Sequence, residues 1–473
     1  MMKLRKKALA LAMSAAVLGG GASLAQAQTV NPGGLGQALI YPYLTANNGW
    51  STFLHVINTS PATVAAKVRF RTATDSSDAY DLIVVLSPFD IWTTVVEQQG
   101  GQSGFRPTDN SCTVPYFGKD KFVPFIVQSS EVYAEVIEMG VSVGLSSSNN
   151  PIAVAAKHSA TTGLPANCAA VEAGFANPGS LSAMTEFDNS LNTTFTVGAT
   201  DYRNILTGKY DLVNVSKGQS GAGRATAIAD FGAPAANGSF FLETNMWSQS
   251  PGDWDHPTLA EANAGLTAIN DILAKTALVN EWVLNPNLGE LSSWVVTFPT
   301  KKHYVDAIAP INASTVQVTK LVSFGNAAGK PSCVEGTPSV FNREEKQIVS
   351  GSPGTTQLCN EVNVINFKNS SADSKTVLES NVAVTIDTTN LGGTGVQAGW
   401  MSFAMPSTTA TALQSGLPQT TITALWNPPT APAPPVAVAA SALGRPAIGF
   451  NFTARATPAD AVLYDHAYTP PSP

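Results

Sequence analysis

The densest group of side chains able to do chemistry is the run Asp253-Trp254-Asp255-His256. Alternating carboxylates supply the oxygen ligands that Ca²⁺ prefers, and an exposed indole such as that of Trp254 can stack on a sugar ring. An aspartate shortly before Pro257 is also typical of a helix start, where the carboxylate accepts hydrogen bonds from free backbone N–H groups. The run therefore predicts either a ligand or Ca²⁺ site or a helix cap, and the cap is the simpler interpretation. No other cofactor is expected.

Known catalytic patterns are missing from the sequence. The five histidines form no HxxxH, HExxH or HxH spacing, so no sequence-local zinc site is predicted. Two Gly-Gln-Ser-Gly stretches, at 101–104 and 218–221, miss the GxSxG nucleophile elbow. Glu131 and Glu135 would lie about 13 Å apart on a strand, too far for a glycosidase pair, and we expect them to face solvent or to bind cations loosely. No catalytic residue is predicted, although a dispersed triad of serine, histidine and carboxylate stays open.

Five tryptophans are candidates for a sugar-binding platform. Trp92 and Trp294 lie in strand-like alternating stretches, so they are predicted to be core residues. Trp50 follows the turn-forming run 47–49 and is predicted to be the exposed one. The five are Trp50, Trp92, Trp254, Trp294 and Trp400.

The elements that must position these residues are mostly strands. Residues 64–71 alternate between apolar and basic types, so that Lys67, Arg69 and Arg71 would face solvent from a half-buried antiparallel strand. Short strands separated by turn clusters are typical of a sandwich or jelly roll. The strands predicted in the first half are 37–44, 52–58, 64–71, 80–86, 91–97, 122–127 and 132–139.

One long amphipathic helix is predicted over 256–285, because apolar residues recur there at steps of three and four, and period-two stretches return after it. We therefore expect a mainly β fold with two antiparallel β-sandwich-like domains, Ig-like or jelly-roll-like, and this helix between or packed on them. The N-terminal domain would span 28–255 with a loop-rich insertion. The C-terminal domain would span 286–473 and carry an exposed proline-rich loop at 428–435.

The first 27 residues are typical of a secretory signal peptide. Four basic residues precede a short apolar run, and Ala25-Gln26-Ala27 is a small-x-small cleavage signal. The apolar run is too short for a membrane span, so no transmembrane segment is expected in the mature chain. Loss of this leader changes the formal net charge from −7 to −11, because it contains four of the 26 basic and none of the 33 acidic residues. Such a charge excludes nucleic acid as a partner.

The mature chain contains four cysteines, an even number that favours two disulfides in an oxidising compartment. Three pairings are possible, and we favour the sequence-local one, since the other two would tie the halves of the chain together. The cysteines have no CxxC spacing, which argues against a metal site. They are Cys112, Cys168, Cys333 and Cys359.

Four stretches of the sequence resemble a family of exported bacterial surface or secreted β-rich proteins to which no activity is attached. They are HVINTSP at 55–61, VVLSPFDIWT at 84–93, SSWVVTFPTKKHY at 292–304 and GRPAIGFNF at 444–452. Together they cover both halves of the mature chain. The resemblance implies an extracytoplasmic role and supplies no catalytic residue.

The function expected from these observations is that of a secreted or cell-surface structural or interaction protein without catalytic activity. Charged residues make up only 12% of the chain, which suits packing against copies of itself, other envelope components or polysaccharide. The alternative is a carbohydrate-binding module or a secreted carbohydrate-active enzyme. A periplasmic location is the alternative to the cell surface.

Overall fold

Strands dominate the computed structural model, which has several antiparallel sheets and few helices. The mainly β class is therefore confirmed, and the arrangement fits a sandwich. The leader, the run 253–256 and the proline-rich stretch lie outside the described residues. The described residues are 29–142, 151–176, 196–197, 200–201, 203–231, 269, 272–301, 333–347, 354–369, 376–391, 397–405, 445–456 and 459–469.

The first half of the chain forms two large sheets and a small hairpin. Seven strands follow the spatial order β1-β15-β2-β10-β4-β5-β8, six follow β14-β13-β3-β6-β7-β9, and β11 pairs with β12. The bounds are β1 (Thr29–Val30), β2 (Ala38–Thr45), β3 (Ser51–Asn58), β4 (Val64–Thr72), β5 (Asp78–Leu86), β6 (Ile91–Gln99), β7 (Gln102–Pro107), β8 (Cys112–Val114), β9 (Val123–Pro124), β10 (Glu131–Val141), β11 (Thr196–Val197), β12 (Thr200–Asp201), β13 (Leu206–Asn214), β14 (Gln219–Arg224) and β15 (Thr226–Ala229).

The second half forms a ten-stranded sheet and a small pair, β16 with β24. The main path of the sheet is β20-β19-β23-β17-β18-β21-β22, to which β25, β26 and β27 are attached. Among its strands in the described ranges, only β21 and β22 pair in parallel. The bounds are β16 (Ala274–Lys275), β17 (Ala277–Asn285), β18 (Glu290–Thr297), β19 (Val334–Asn342), β20 (Thr356–Leu358), β21 (Val362–Lys368), β22 (Ala383–Asp387), β23 (Gln397–Ala404), β24 (Arg445–Pro446), β25 (Ile448–Ala456), β26 (Ala459–Asp465) and β27 (Ala467–Thr469).

The helix predicted over 256–285 is wrong in its C-terminal part. Residues 269, 272 and 273 are helical, but β16 and β17 occupy the rest, and β17 pairs with β23 along nearly its whole length. Leu278, Trp282 and Leu284 also fit the period of two that is typical of a strand. Pairing with β23 stabilises this stretch as a strand and not as a helix. The beginning of the predicted helix lies outside the described residues.

The largest core cluster joins the two halves of the chain. It contains apolar residues of strands β2 to β6 together with residues of β25. The ring centroids of Trp50 and Phe452 lie 5.5 Å apart, and those of Tyr210 and Phe450 lie 5.8 Å apart. Packing therefore crosses the boundary proposed between two domains.

Both disulfides follow the sequence-local pairing. Cys112 on β8 bonds to Cys168, the first residue of helix α2 (Cys168–Ala176), and Cys333 bonds to Cys359. Helix α1 (Pro151–Ala156) and α2 pack together against one face of the seven-stranded sheet. The bridges indicate an oxidising, extracytoplasmic environment. Neither α1 nor α2, nor any other helix in the described ranges, is long and apolar enough to cross a membrane.

The basic residues of β4 are buried, which corrects the prediction of a half-buried strand. Lys67, Arg69 and Arg71 are each 2% exposed. The guanidinium Nε of Arg71 lies 2.8 Å from Oε2 of Glu135 on β10. Glu131 is buried as well and accepts a hydrogen bond of 2.6 Å from a buried tyrosine. Because a buried charge is stable only with such partners, Arg71, Glu131 and Glu135 belong to the interior, and the prediction that the two glutamates face solvent is wrong.

Candidate functional site

Two of the sequence motifs, HVINTSP and VVLSPFDIWT, meet in the connection between β5 and β6. The chain reverses there at Ser87-Pro88-Phe89-Asp90, which we call the SPFD turn, and the Asp90 N–H donates to the Ser87 carbonyl at 3.1 Å. The ring of Pro88 fixes φ at the second position. Phe89 has a φ of +58°, the positive value that a type II turn requires at its third position.

Asn58, a fully buried residue of the first motif, holds this turn in place. Its Nδ2 donates to the carbonyls of Ala62 at 2.7 Å and Ser87 at 2.9 Å. Its Oδ1 accepts hydrogen bonds from both the backbone N–H and the hydroxyl of Ser60. The Ser60 carbonyl in turn accepts the Phe89 N–H at 3.0 Å. The backbone of Phe89 is therefore fixed from both sides.

The side chain of Phe89 is 69% exposed, although its backbone is in the left-handed region. That conformation costs a non-glycine residue on the order of 1 kcal/mol, and glycine or asparagine normally occupies it. A ring in solvent gains no burial energy to offset the cost. The folding of this chain alone therefore offers little reason for a phenylalanine at this position.

Ser87, Asp90 and His158 lie together beside the turn. The Ser87 hydroxyl donates to Asp90 Oδ2 at 3.1 Å, and His158 Nδ1 lies 3.3 Å from both that carboxylate oxygen and the Ser87 hydroxyl. Burial raises the pKa of the Asp90 carboxyl, while the His158 imidazole acts in the opposite direction. His158 follows α1, so this contact links the turn to the pair of helices α1 and α2.

The geometry of these three residues differs from that of a hydrolytic triad. A triad needs one imidazole nitrogen on the serine and the other on the carboxylate, so that the ring can pass a proton between them. Here the same nitrogen, Nδ1, faces both groups, and Ser87 is only 4% exposed. The arrangement positions the turn and does not activate Ser87 as a nucleophile.

Trp50, predicted to be exposed, is 1% exposed, and that prediction is wrong. Its indole packs edge-on against Phe452 and lies beneath the Lys217 ammonium. The turn before it is also covered, because the Asn47 side chain donates to the Glu379 carbonyl at 2.6 Å. Residues more than 300 positions away along the chain bury this tryptophan, so its local sequence could not reveal its burial.

The remaining predicted site residues give a mixed result. Trp92 and Trp294 are core residues, as predicted. Asp253, Trp254, Asp255 and His256 lie outside the described residues, so a ligand or Ca²⁺ site there stays a prediction. In the part of the chain that the structure describes, no three His, Cys, Asp or Glu side chains are grouped to hold a metal ion.

Trp400 is the exposed aromatic residue among the tryptophans that the structure describes, with 44% of its side chain accessible. It lies on β23 directly opposite Phe341 of β19, and the two rings stack with centroids 4.3 Å apart and planes 12° apart. The carboxylate-bearing Glu281 of β17 is opposite Trp400 on its other side. This stack forms a second exposed aromatic feature, on the ten-stranded sheet.

Comparison with known proteins gives no further guide to these sites: no family model, no curated protein and no solved structure matches the chain. Sequence reasoning selected the motifs that build the SPFD turn but missed Phe89 itself. The signal available was Pro88 followed by Phe89 and Asp90, a proline-initiated turn whose third position has a side chain that rarely adopts positive φ.

Proposed function

We propose that the protein is an extracytoplasmic structural protein without catalytic activity, located at the cell surface or in the periplasm, that assembles with copies of itself through Phe89. The observation that carries the proposal is the exposed ring of Phe89 on a backbone held in the left-handed region. Burial of one phenylalanine side chain at an interface contributes about 1.5–3 kcal/mol, which more than offsets the cost of that backbone conformation.

The composition of the chain supports self-assembly. Only 12% of the residues are charged, so copies of the protein repel one another weakly when their surfaces approach. The two disulfides and the resemblance to exported proteins support a role outside the cytoplasm. The same nitrogen of His158, Nδ1, faces both Ser87 and Asp90, which argues against serine hydrolase chemistry at Ser87.

Sedimentation velocity of the mature chain, over a wide concentration range, tests the proposal. Phe89→Asn removes the ring but keeps a residue that tolerates positive φ. Val215→Asn, in the β13–β14 turn, is the matched control, because Val215 is 86% exposed. We expect the wild type and the Val215 variant to associate and the Phe89 variant to stay monomeric. A monomeric wild type, or a Phe89 variant that associates like the wild type, would overturn the proposal.

Carbohydrate binding is the second candidate function, and the stack of Trp400 on Phe341 favours it. Trp400 is 44% exposed, so part of its indole is accessible for stacking on the C–H face of a sugar ring, and Glu281 on the neighbouring strand could accept hydrogen bonds from the hydroxyl groups of the sugar. Titration of the protein with neutral oligosaccharides, with tryptophan fluorescence as the signal, tests this function. Trp400→Ala should abolish the response and Phe89→Asn should leave it unchanged. A full response from the Trp400 variant, or none from the wild type, would exclude binding at this stack.

A further inference from the structure

An open cleft of about 310 Å³ lies where the β13–β14 hairpin of the first half meets β26 of the second. Side chains of both halves line it, so the site exists only when the two halves are packed together. The lining residues are Lys209, Ala222, Gly223, Arg224, Leu463 and Asp465.

The charges of the cleft come from three of these residues. Lys209 and Arg224 are directly opposite each other across the antiparallel pair, so their side chains leave the same face of the sheet. Both are exposed, and neither forms an ion pair within 4.0 Å with the residues that the structure describes. Burial raises the pKa of the Asp465 carboxyl, and the charge of Arg224 opposes this rise in part. The lining has one net positive charge, opposite in sign to the whole chain at −7.

We infer that this cleft binds a carboxylated sugar, a uronate unit of an acidic polysaccharide. The guanidinium of Arg224 matches the two oxygens of a carboxylate, and the ammonium of Lys209 adds a second positive charge beside it. Leu463, which is partly buried, supplies an apolar surface for the C–H face of the sugar. The Asp465 carboxylate accepts hydrogen bonds from hydroxyl groups. This inference is independent of assembly through Phe89.

Comparison of a uronate with acetate separates this site from a general attraction of anions, because a surface that only attracts anions does not depend on the neutral hydroxyl groups of the ligand. Removal of a cation should weaken uronate binding. Removal of the Asp465 charge by asparagine should strengthen it, because the carboxylate of the ligand is repelled by that of Asp465, whereas an asparagine oxygen still accepts hydrogen bonds from hydroxyl groups.

Calorimetric titration with glucuronate oligosaccharides tests the inference, with neutral glucose oligosaccharides and acetate as parallel probes. Every chain in this test also contains Trp400→Ala, so that binding at the stack of Trp400 on Phe341 does not contribute. We expect binding of the glucuronate probe alone, weakened about fivefold by Arg224→Gln. Asp465→Asn should increase the affinity. Arg343→Gln, which removes an exposed cation elsewhere, should leave it unchanged. The inference fails if acetate or the neutral sugar binds equally well, if Arg343→Gln matches Arg224→Gln, or if no probe binds.

Discussion

Trp50 and Phe89 are both aromatic residues at tight turns of the first half, but the side chain of Trp50 is buried and that of Phe89 is exposed. Trp50 is 1% exposed beneath residues of the second half, whereas Phe89 is 69% exposed on a turn that residues of the first half, such as Asn58 and His158, hold in place. The backbone of the SPFD turn is thus determined within the first half, by hydrogen bonds such as those of Asn58. The exposure of its aromatic residue is determined by what packs on it from far away in the sequence.

The largest effect expected from this difference is on stability. Trp50→Ala leaves a cavity at the contact with Phe452 and should lower the free energy of unfolding by about 3–5 kcal/mol. Phe89→Ala should change it by less than about 1 kcal/mol, since the ring is in solvent. Chemical denaturation of both variants measures the two values. Equal losses would show that the turns do not differ as described.

Acid should destabilise the hairpin of β25 and β26, whose Phe452 packs against Trp50. His466 follows β26, donates from Nε2 to the Val295 carbonyl at 2.9 Å and accepts at Nδ1 from the Asn280 amide at 3.1 Å, so it is neutral. Burial lowers its pKa from 6.5 to about 4. The unfolded chain then binds a proton first as the pH falls, so stability is complete above pH 6.5 and declines by about 3 kcal/mol towards pH 4.

Stability measured against pH for the wild type and for His466→Gln checks this expectation. The glutamine side chain keeps a donor and an acceptor but does not titrate in this range. The variant should therefore lose less stability than the wild type between pH 6.5 and pH 4. Identical pH profiles would show that His466 does not cause the loss of stability in acid.

Loss of the Asn58 side-chain amide should destabilise the SPFD turn. Asn58→Ala leaves buried carbonyls without their donor and should lower the free energy of unfolding by about 1–3 kcal/mol. Hydrogen exchange at the Phe89 amide should become faster in this variant, because the turn loses its support. Unchanged exchange would mean that Asn58 does not hold the SPFD turn.

The smallest effect is expected at Phe89 itself. Phe89→Gly relieves the positive φ, although glycine loses more backbone entropy on folding, and the net change should be a gain of at most about 1 kcal/mol. Thermal unfolding measures this gain. A loss above about 1 kcal/mol would show that the ring contributes to the fold of the isolated chain.

Local patterns in the sequence predicted strands β2 to β6 and β10 and the pairing of the cysteines, but they missed β7, β8 and the strands β13 to β15. They failed where distant residues decide the outcome. The alternation of β4 gave the correct faces, but the burial of Arg71 depends on partners such as Glu135 on another strand. The stretch 277–285 fitted two periods, and pairing with β23 chose between them. The exposed stack of Trp400 on Phe341 needed the register of two strands 59 residues apart in the sequence.

Photocrosslinking at position 89 tests the central claim most directly. A benzophenone-bearing phenylalanine replaces Phe89 in the mature chain and keeps an aromatic ring at the exposed site, and the same residue at Val215 is the control. We expect products with the mass of two chains, linked from position 89 to a second copy and absent from the control. Crosslinks no more frequent than at position 215 would contradict it.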